Sequence, residues 1–165
     1  MTYPWTSGEV LTAADLNAAF KGHGCLVYRS GSQTLTSGVP AAVSWNAEQF
    51  DTDGYHDNSV NPERITIPTG LGGLYLIVGS VTFVSNASGV RQVYLVETGG
   101  TVSYGRLLLS PTNGDGTTLS IGAIGEFSAG DYFVANAFQT SGGSLNMIGA
   151  LNDTSLGVYW LGEKA

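Results

Sequence analysis

The densest chemistry in the chain lies in FDTDGYHDN, residues 50–58, where Asp51, Asp53, Asp57 and Asn58 place oxygen ligands within eight positions. Such a run suits Ca²⁺ in ligand type. The spacing is not that of an EF-hand loop, because Gly54 arrives too early and no Glu closes the run. The plainer expectation is a solvated acidic loop whose Asx side chains cap local turns. Calcium is therefore the sole cofactor candidate, and the expectation is none. Asn113, Gly114, Asp115 and Gly116 (NGDG) fit a hairpin turn better than a ligand loop.

His23 and Cys25 stand two apart, which on a strand puts both side chains on one face. A Cys–His nucleophile pair needs that proximity, but no motif surrounds it. The chain contains no G-x-S-x-G, H-E-x-x-H or phosphate-loop signature. Paired carboxylates for glycoside cleavage are set by geometry and leave no spacing to read. The expectation is a protein without catalytic residues. Trp45, Tyr55, His56, Tyr104 and Arg106 offer an aromatic and polar patch for a glycan or protein ligand if loops bring them together. The same residue types also build ordinary cores.

These side chains need a scaffold, and its period is two. GLYLIVGSVTF (residues 73–83) sets Tyr75, Ile77, Val81 and Phe83 against Leu74, Leu76, Val78 and Ser80. Both faces are largely apolar, as in a strand covered on both sides. CLVYRS, AAVSW, RITI, VRQVYLVE, VSYGRLLLS, TTLSIGAIGEF, DYFVANAFQ, LNMIGAL and SLGVYWLGE are further strand candidates. Turn residues separate them at SGSQ, SGVP, NASG, ETGG, NGDG, SAGD and SGGS. About ten short strands without a second helix predict an all-β antiparallel jelly-roll sandwich. Tyr75, Tyr94, Phe133, Tyr159 and Trp160 are expected in its core or in a seam between copies.

The opening stretch, WTSGEVLTAADLNAAF (residues 5–20), breaks this pattern. Thr12 is placed to cap a helix with Asp15 three residues on, and Leu11 and Leu16 stand at hydrophobic-staple positions. Ala13, Ala14, Ala18 and Ala19 favour helix, and Gly22 or Gly24 ends it. A helix of about two turns does not persist alone in water. Trp5, Val10, Leu11, Leu16 and Phe20 are therefore expected to dock, on another protein in the favoured reading, and otherwise on a sister chain or on the chain's own β-domain. Residues 1–24 are read as arm and helix, and residues 25–165 as the β-domain.

Composition narrows the partners. Six Lys+Arg against thirteen Asp+Glu give a net charge of −7, which disfavours nucleic acid and anionic membranes. No run of about 18 apolar residues predicts membrane insertion, and the start lacks a signal-peptide pattern. Cys25 is the lone cysteine, so no disulfide framework exists within the chain; assembly in a reducing cytoplasm is expected. Charged residues are 12% of the chain, about half the usual share. Sparse charge suits a β-surface partly covered by identical copies.

Several segments together resemble the C1q/TNF-like jelly-roll family. Phe50 precedes an Asp-rich loop, ITIP carries Ile65, Ile67 and Pro68 toward Tyr75, Gly130 and Asp131 open a late strand, and Tyr159 and Gly162 close the last one. Ile65 stands where the family usually has Phe, and residues 70–73 hold two extra positions. The resemblance spans roughly residues 25–163 and implies a homotrimer. The opening W-x-x-G-E-V-L-T-A-A-D-L-N is similar to the start of many tailed-bacteriophage virion proteins, over about 16 residues. It implies attachment to other virion proteins, capsid or tail. A virion-surface location follows, as a capsid decoration or cement protein, or alternatively as a tail-fibre head that binds a host glycan or protein.

Overall fold

The computed structural model describes residues 21–97, 103–111 and 114–163, together with residues 8, 10 and 12–14. Ala13 and Ala14 are helical. Everything else that is regular among the described residues is β. The strands are β1 (Gly24–Tyr28), β2 (Gln33–Leu35), β3 (Ala41–Ala42), β4 (Ala47–Asp51), β5 (Arg64–Thr66) and β6 (Gly73–Phe83). They continue with β7 (Arg91–Glu97), β8 (Ser103–Leu109), β9 (Thr117–Phe127), β10 (Tyr132–Gln139), β11 (Leu145–Met147) and β12 (Ser155–Gly162).

Two antiparallel sheets face each other. One runs β2-β11-β6-β12-β1-β4, with β9 on the other side of β6; the second runs β3-β10-β7-β8, with β5 also on β10. Sequence neighbours are mostly not sheet neighbours, and β1 lies between β4 and β12, so the first and last strands close the sheet together. This is the predicted sandwich with twelve strands. The two extra strands are β2 and β4. QTL and AEQFD lack alternating β-branched residues, and long-range pairing with β11 and β1 makes them strands. AAVSW is strand only at Ala41–Ala42, after which Val43 and Trp45 turn inward.

The core fills the space between the sheets with Tyr75, Ile77 and Phe83 of β6, Leu119 and Phe127 of β9, Val93 and Leu95 of β7, and Phe133 of β10. Its centre is a chain of rings. Tyr55 meets Tyr75 at 6.1 Å, Tyr75 meets Phe127 at 6.0 Å, and Phe127 meets Phe133 at 5.2 Å. Edge-to-face and tilted packings of this kind add stability beyond area burial.

Arg91 is buried with no carboxylate partner among the described residues. Its guanidinium donates to the carbonyls of Ser88, Val90 and Asn86, and to Asn86 Oδ1, so one side chain folds the β6–β7 loop. Burial lowers its pKa from the ordinary arginine value. At the free edge of the second sheet, Gly105 has φ of 55°. There the β7–β8 register shifts between Val93 and Leu95. This bulge twists the edge strand, a device that discourages pairing with stray strands.

Candidate functional site

The expectation that β6 is covered on both faces fails for the single chain. Its inner face is buried, while Leu74, Leu76 and Val78 are 40%, 36% and 46% exposed. Register places outward neighbours beside them. Leu76 pairs with Tyr159 of β12 and with Ile124 of β9, Val78 pairs with Gly157, and Leu26 pairs with both Gly157 and Phe50. Ile124, Tyr159 and Leu161 are 65%, 46% and 55% exposed, and Phe50 meets Tyr159 edge-on at 6.2 Å. Glu126, opposite Leu74, stands at the margin. A contiguous apolar patch across five strands is the mark of an interface.

The arm enters at the rim of this face. Lys21 Nζ donates to the Thr52 carbonyl at 3.1 Å and to Asp53 Oδ1 at 3.2 Å. His23 Nδ1 lies 2.9 Å from Asp53 Oδ2, and its ring stands edge-on to Trp160 at 5.4 Å. Trp160 N donates to the His23 carbonyl, and Thr52 Oγ1 accepts from Gly24 N. Burial pushes the Asp53 carboxyl up, but hydrogen bonds from Thr52, His23 and Lys21 outweigh it and hold it below the usual carboxylate value. The sign follows. This clasp contributes fully above the unfolded carboxyl value of about 3.9 and weakens as pH falls through the lower folded value. The protection factors of the Gly24 and Thr52 amides, taken against their intrinsic exchange rates, should fall below about pH 4, and Asp53→Asn should give low protection already at neutral pH. Exchange that ignores both changes would rule out the clasp.

The acidic loop spends its oxygens on turns. Asp51 Oδ1 accepts from the amides of Asp53 and Gly54, and Oδ2 accepts from the amide of His56. Asp57 Oδ1 accepts from Ser59 N, Ser59 Oγ and Val60 N. Asn58 Nδ2 donates to Glu48 Oε1. Among the described residues no His, Cys, Asp and Glu groups gather as a metal site.

The five patch residues do not come together. Trp45 and Tyr55 are buried in the core, because Trp45 N is tied to the Pro62 carbonyl and the Tyr55 carbonyl to Thr66 N. Neither ring can meet a ligand face. The His56 ring is fully buried, 2.8 Å from Glu48 Oε1 and 3.1 Å from the Pro62 carbonyl. Tyr104 is half-buried, donates to Glu97 and rests on Phe127. Arg106 reaches Gln92 on β7, in the other sheet from β4. Loops were expected to present these side chains, but strand pairing distributes them.

The remaining candidates separate by face. Tyr75 and Phe133 are core, Tyr94 is half-buried opposite Asn136, Trp160 is half-buried beside His23, and Tyr159 lies on the bare apolar face. Cys25 is buried in the core. Burial first, then the charges of Asp51 and Glu48, push its thiol far above the ordinary range, so it does not supply a thiolate. Val10 is exposed. Trp5, Leu11, Leu16 and Phe20 lie outside the described residues. Leu74, Leu76, Val78 and Ile124 were missing from the sequence-based candidates. The apolar double face of GLYLIVGSVTF was the signal that could have named the first three.

Solved structures share this architecture. Eiger TNF from S. frugiperda superposes with a TM-score of 0.65 at 11% identity, covering 87% of this chain and 95% of that one. The globular domain of zebrafish complement 1qA gives 0.61 at 14% identity, covering 86% and 99%. Murine APRIL gives 0.66 at 12% identity, covering 86% and 100%. The fold is a TNF/C1q-like jelly roll. Identities this low establish the jelly roll and nothing about its task. No family model matches the chain. An uncharacterized protein of Acanthamoeba polyphaga mimivirus is 34% identical over 86 residues, covering 50% of this chain and 36% of that protein. The jelly-roll chain thus spans about a third of the length of that viral relative.

Proposed function

We propose that this chain is a non-enzymatic bacteriophage virion protein that works as a homotrimer. In this reading the apolar face of the β4-β1-β12-β6-β9 layer is the seam between copies, and the N-terminal arm holds the trimer to the particle. The bare face carries the proposal. Leu74, Leu76, Val78, Ile124, Tyr159 and Leu161 all face solvent in one chain, at a cost that a second and third copy remove by burying them. The sparse charge of the chain agrees with it, and the viral relative supports a viral setting.

The resemblance of residues 5–20 to phage attachment segments directs the arm toward a capsid or tail protein. No shaft-like segment separates that stretch from β1, which favours a capsid decoration or cement role over a fibre. The chemistry of the site agrees with a structural task, since Cys25 is sequestered and the His56 ring is enclosed. Copies per particle decide the placement. Many trimers per shell, and a lower capsid disruption temperature without the protein, are expected. A few trimers confined to the tail would replace this reading with a receptor-binding head.

A further inference from the structure

A cavity of about 340 Å³ opens between the β4–β5 loop and β5. It is large enough for a small polar ligand. Asp57, Val60, Asn61, Arg64 and Thr66 line it. Its frame is rigid. The enclosed His56 ring bridges Glu48 and the Pro62 carbonyl, which also accepts from Trp45 N. Arg64 N donates to the Asn61 carbonyl, and Asn61 is the non-glycine residue with positive φ, 51°, among those described.

The Arg64 guanidinium is placed but only partly used. Its Cζ sits 4.2 Å from the centre of the Tyr132 ring, a cation–π contact that fixes the plane. Its Nε faces Glu63 at 3.5 Å, and Nη1 and Nη2 donate to no group among the described residues. Asp57, on the same cavity, commits Oδ1 to the Ser59–Val60 turn. Arg64 and Asp57 form no ion pair with each other. The wall thus offers a donor fork and a carboxylate acceptor that do not neutralise each other. Hydroxyl groups answer both, because each donates and accepts.

We propose that this cavity binds a neutral sugar ring, with adjacent hydroxyls shared between the Arg64 fork and the Asp57 carboxylate. Val60, 60% exposed, supplies the apolar wall for the C–H face of the ring, and Asn61 and Thr66 supply further polar contacts. The Asp57 carboxylate and the net charge of −7 select against acidic sugars. Nothing in this depends on the trimer or on placement in a particle, so either can fail without the other.

The test is a titration of the full chain with glucose, galactose and mannose, and separately with glucuronate, followed by ¹H–¹⁵N correlation spectra. At least one neutral hexose should shift the Asn61, Arg64 and Thr66 amides with a millimolar dissociation constant. Arg64→Ala should weaken that affinity about tenfold or more, and Asp57→Asn several-fold, about 1.4 kcal/mol per tenfold. Both side chains lie at the surface, and unchanged spectra elsewhere verify that the variants fold. No shift with any neutral hexose overturns the proposal. Preferential glucuronate binding that strengthens in Asp57→Asn overturns it too, in favour of a carboxylate site.

Discussion

Replacing Leu76 and Ile124 together with Asp should convert the protein to a monomer of 17.1 kDa by light scattering, where the proposed assembly of the unmodified chain has three times that mass. The two side chains are register partners on neighbouring strands and both point away from the core. Their substitution leaves the ring stack between the sheets untouched, so circular dichroism should not change. Each buried large apolar side chain contributes about 1.5–3 kcal/mol, so the pair accounts for about 3–6 kcal/mol per protomer in the seam. A carboxylate buried there without a partner costs several kcal/mol more. The dissociation constant should rise by at least about 10²-fold. A trimer that survives the double substitution, or an unmodified chain that is already monomeric at micromolar concentration, would remove the seam from this face.

Phe133→Ala should be the most damaging single truncation in the core. Phe133 is fully buried, stacks on Phe127, and sits on β10 where that strand pairs with both β5 and β7. Truncating a ring in such a place costs about 3–5 kcal/mol, since the neighbours relax only partly into the cavity. At this chain length the melting temperature should fall by on the order of 10 °C. Urea unfolding at fixed protomer concentration is the appropriate measurement, because assembly adds a concentration-dependent term. A loss below about 1 kcal/mol would show that the centre of the core lies elsewhere.

Periodicity and turn chemistry were local and therefore legible. The β-period after residue 24, the Gly- and Asn-rich turns, and the apolar double face of residues 73–83 predicted a sandwich and contained the bare apolar face in outline. That double face admitted two answers, a second layer within the chain or a second chain. Only the assembled fold shows that one chain leaves Leu74, Leu76 and Val78 bare. The strands β2 and β4 were illegible because their pairing partners lie far away in sequence and their own residues have weak β-propensity.

Site residues followed the same division. An aromatic residue in a loop carries no mark of which way it points, so Trp45 and Tyr55 could serve a ligand or the core until the Pro62 and Tyr55 carbonyls tied both to the interior. The aspartates were identifiable as turn caps because an Asx cap is satisfied within a few residues. Arg64 drew no attention, because its value depends on Tyr132, which a neighbouring strand brings beneath it from 68 positions away. Sequence alone determined what is satisfied within a few residues: period, turns, caps and net charge. Tertiary structure decided which apolar face stays bare and which ring lies under the Arg64 guanidinium, since both depend on contacts between residues far apart in the chain.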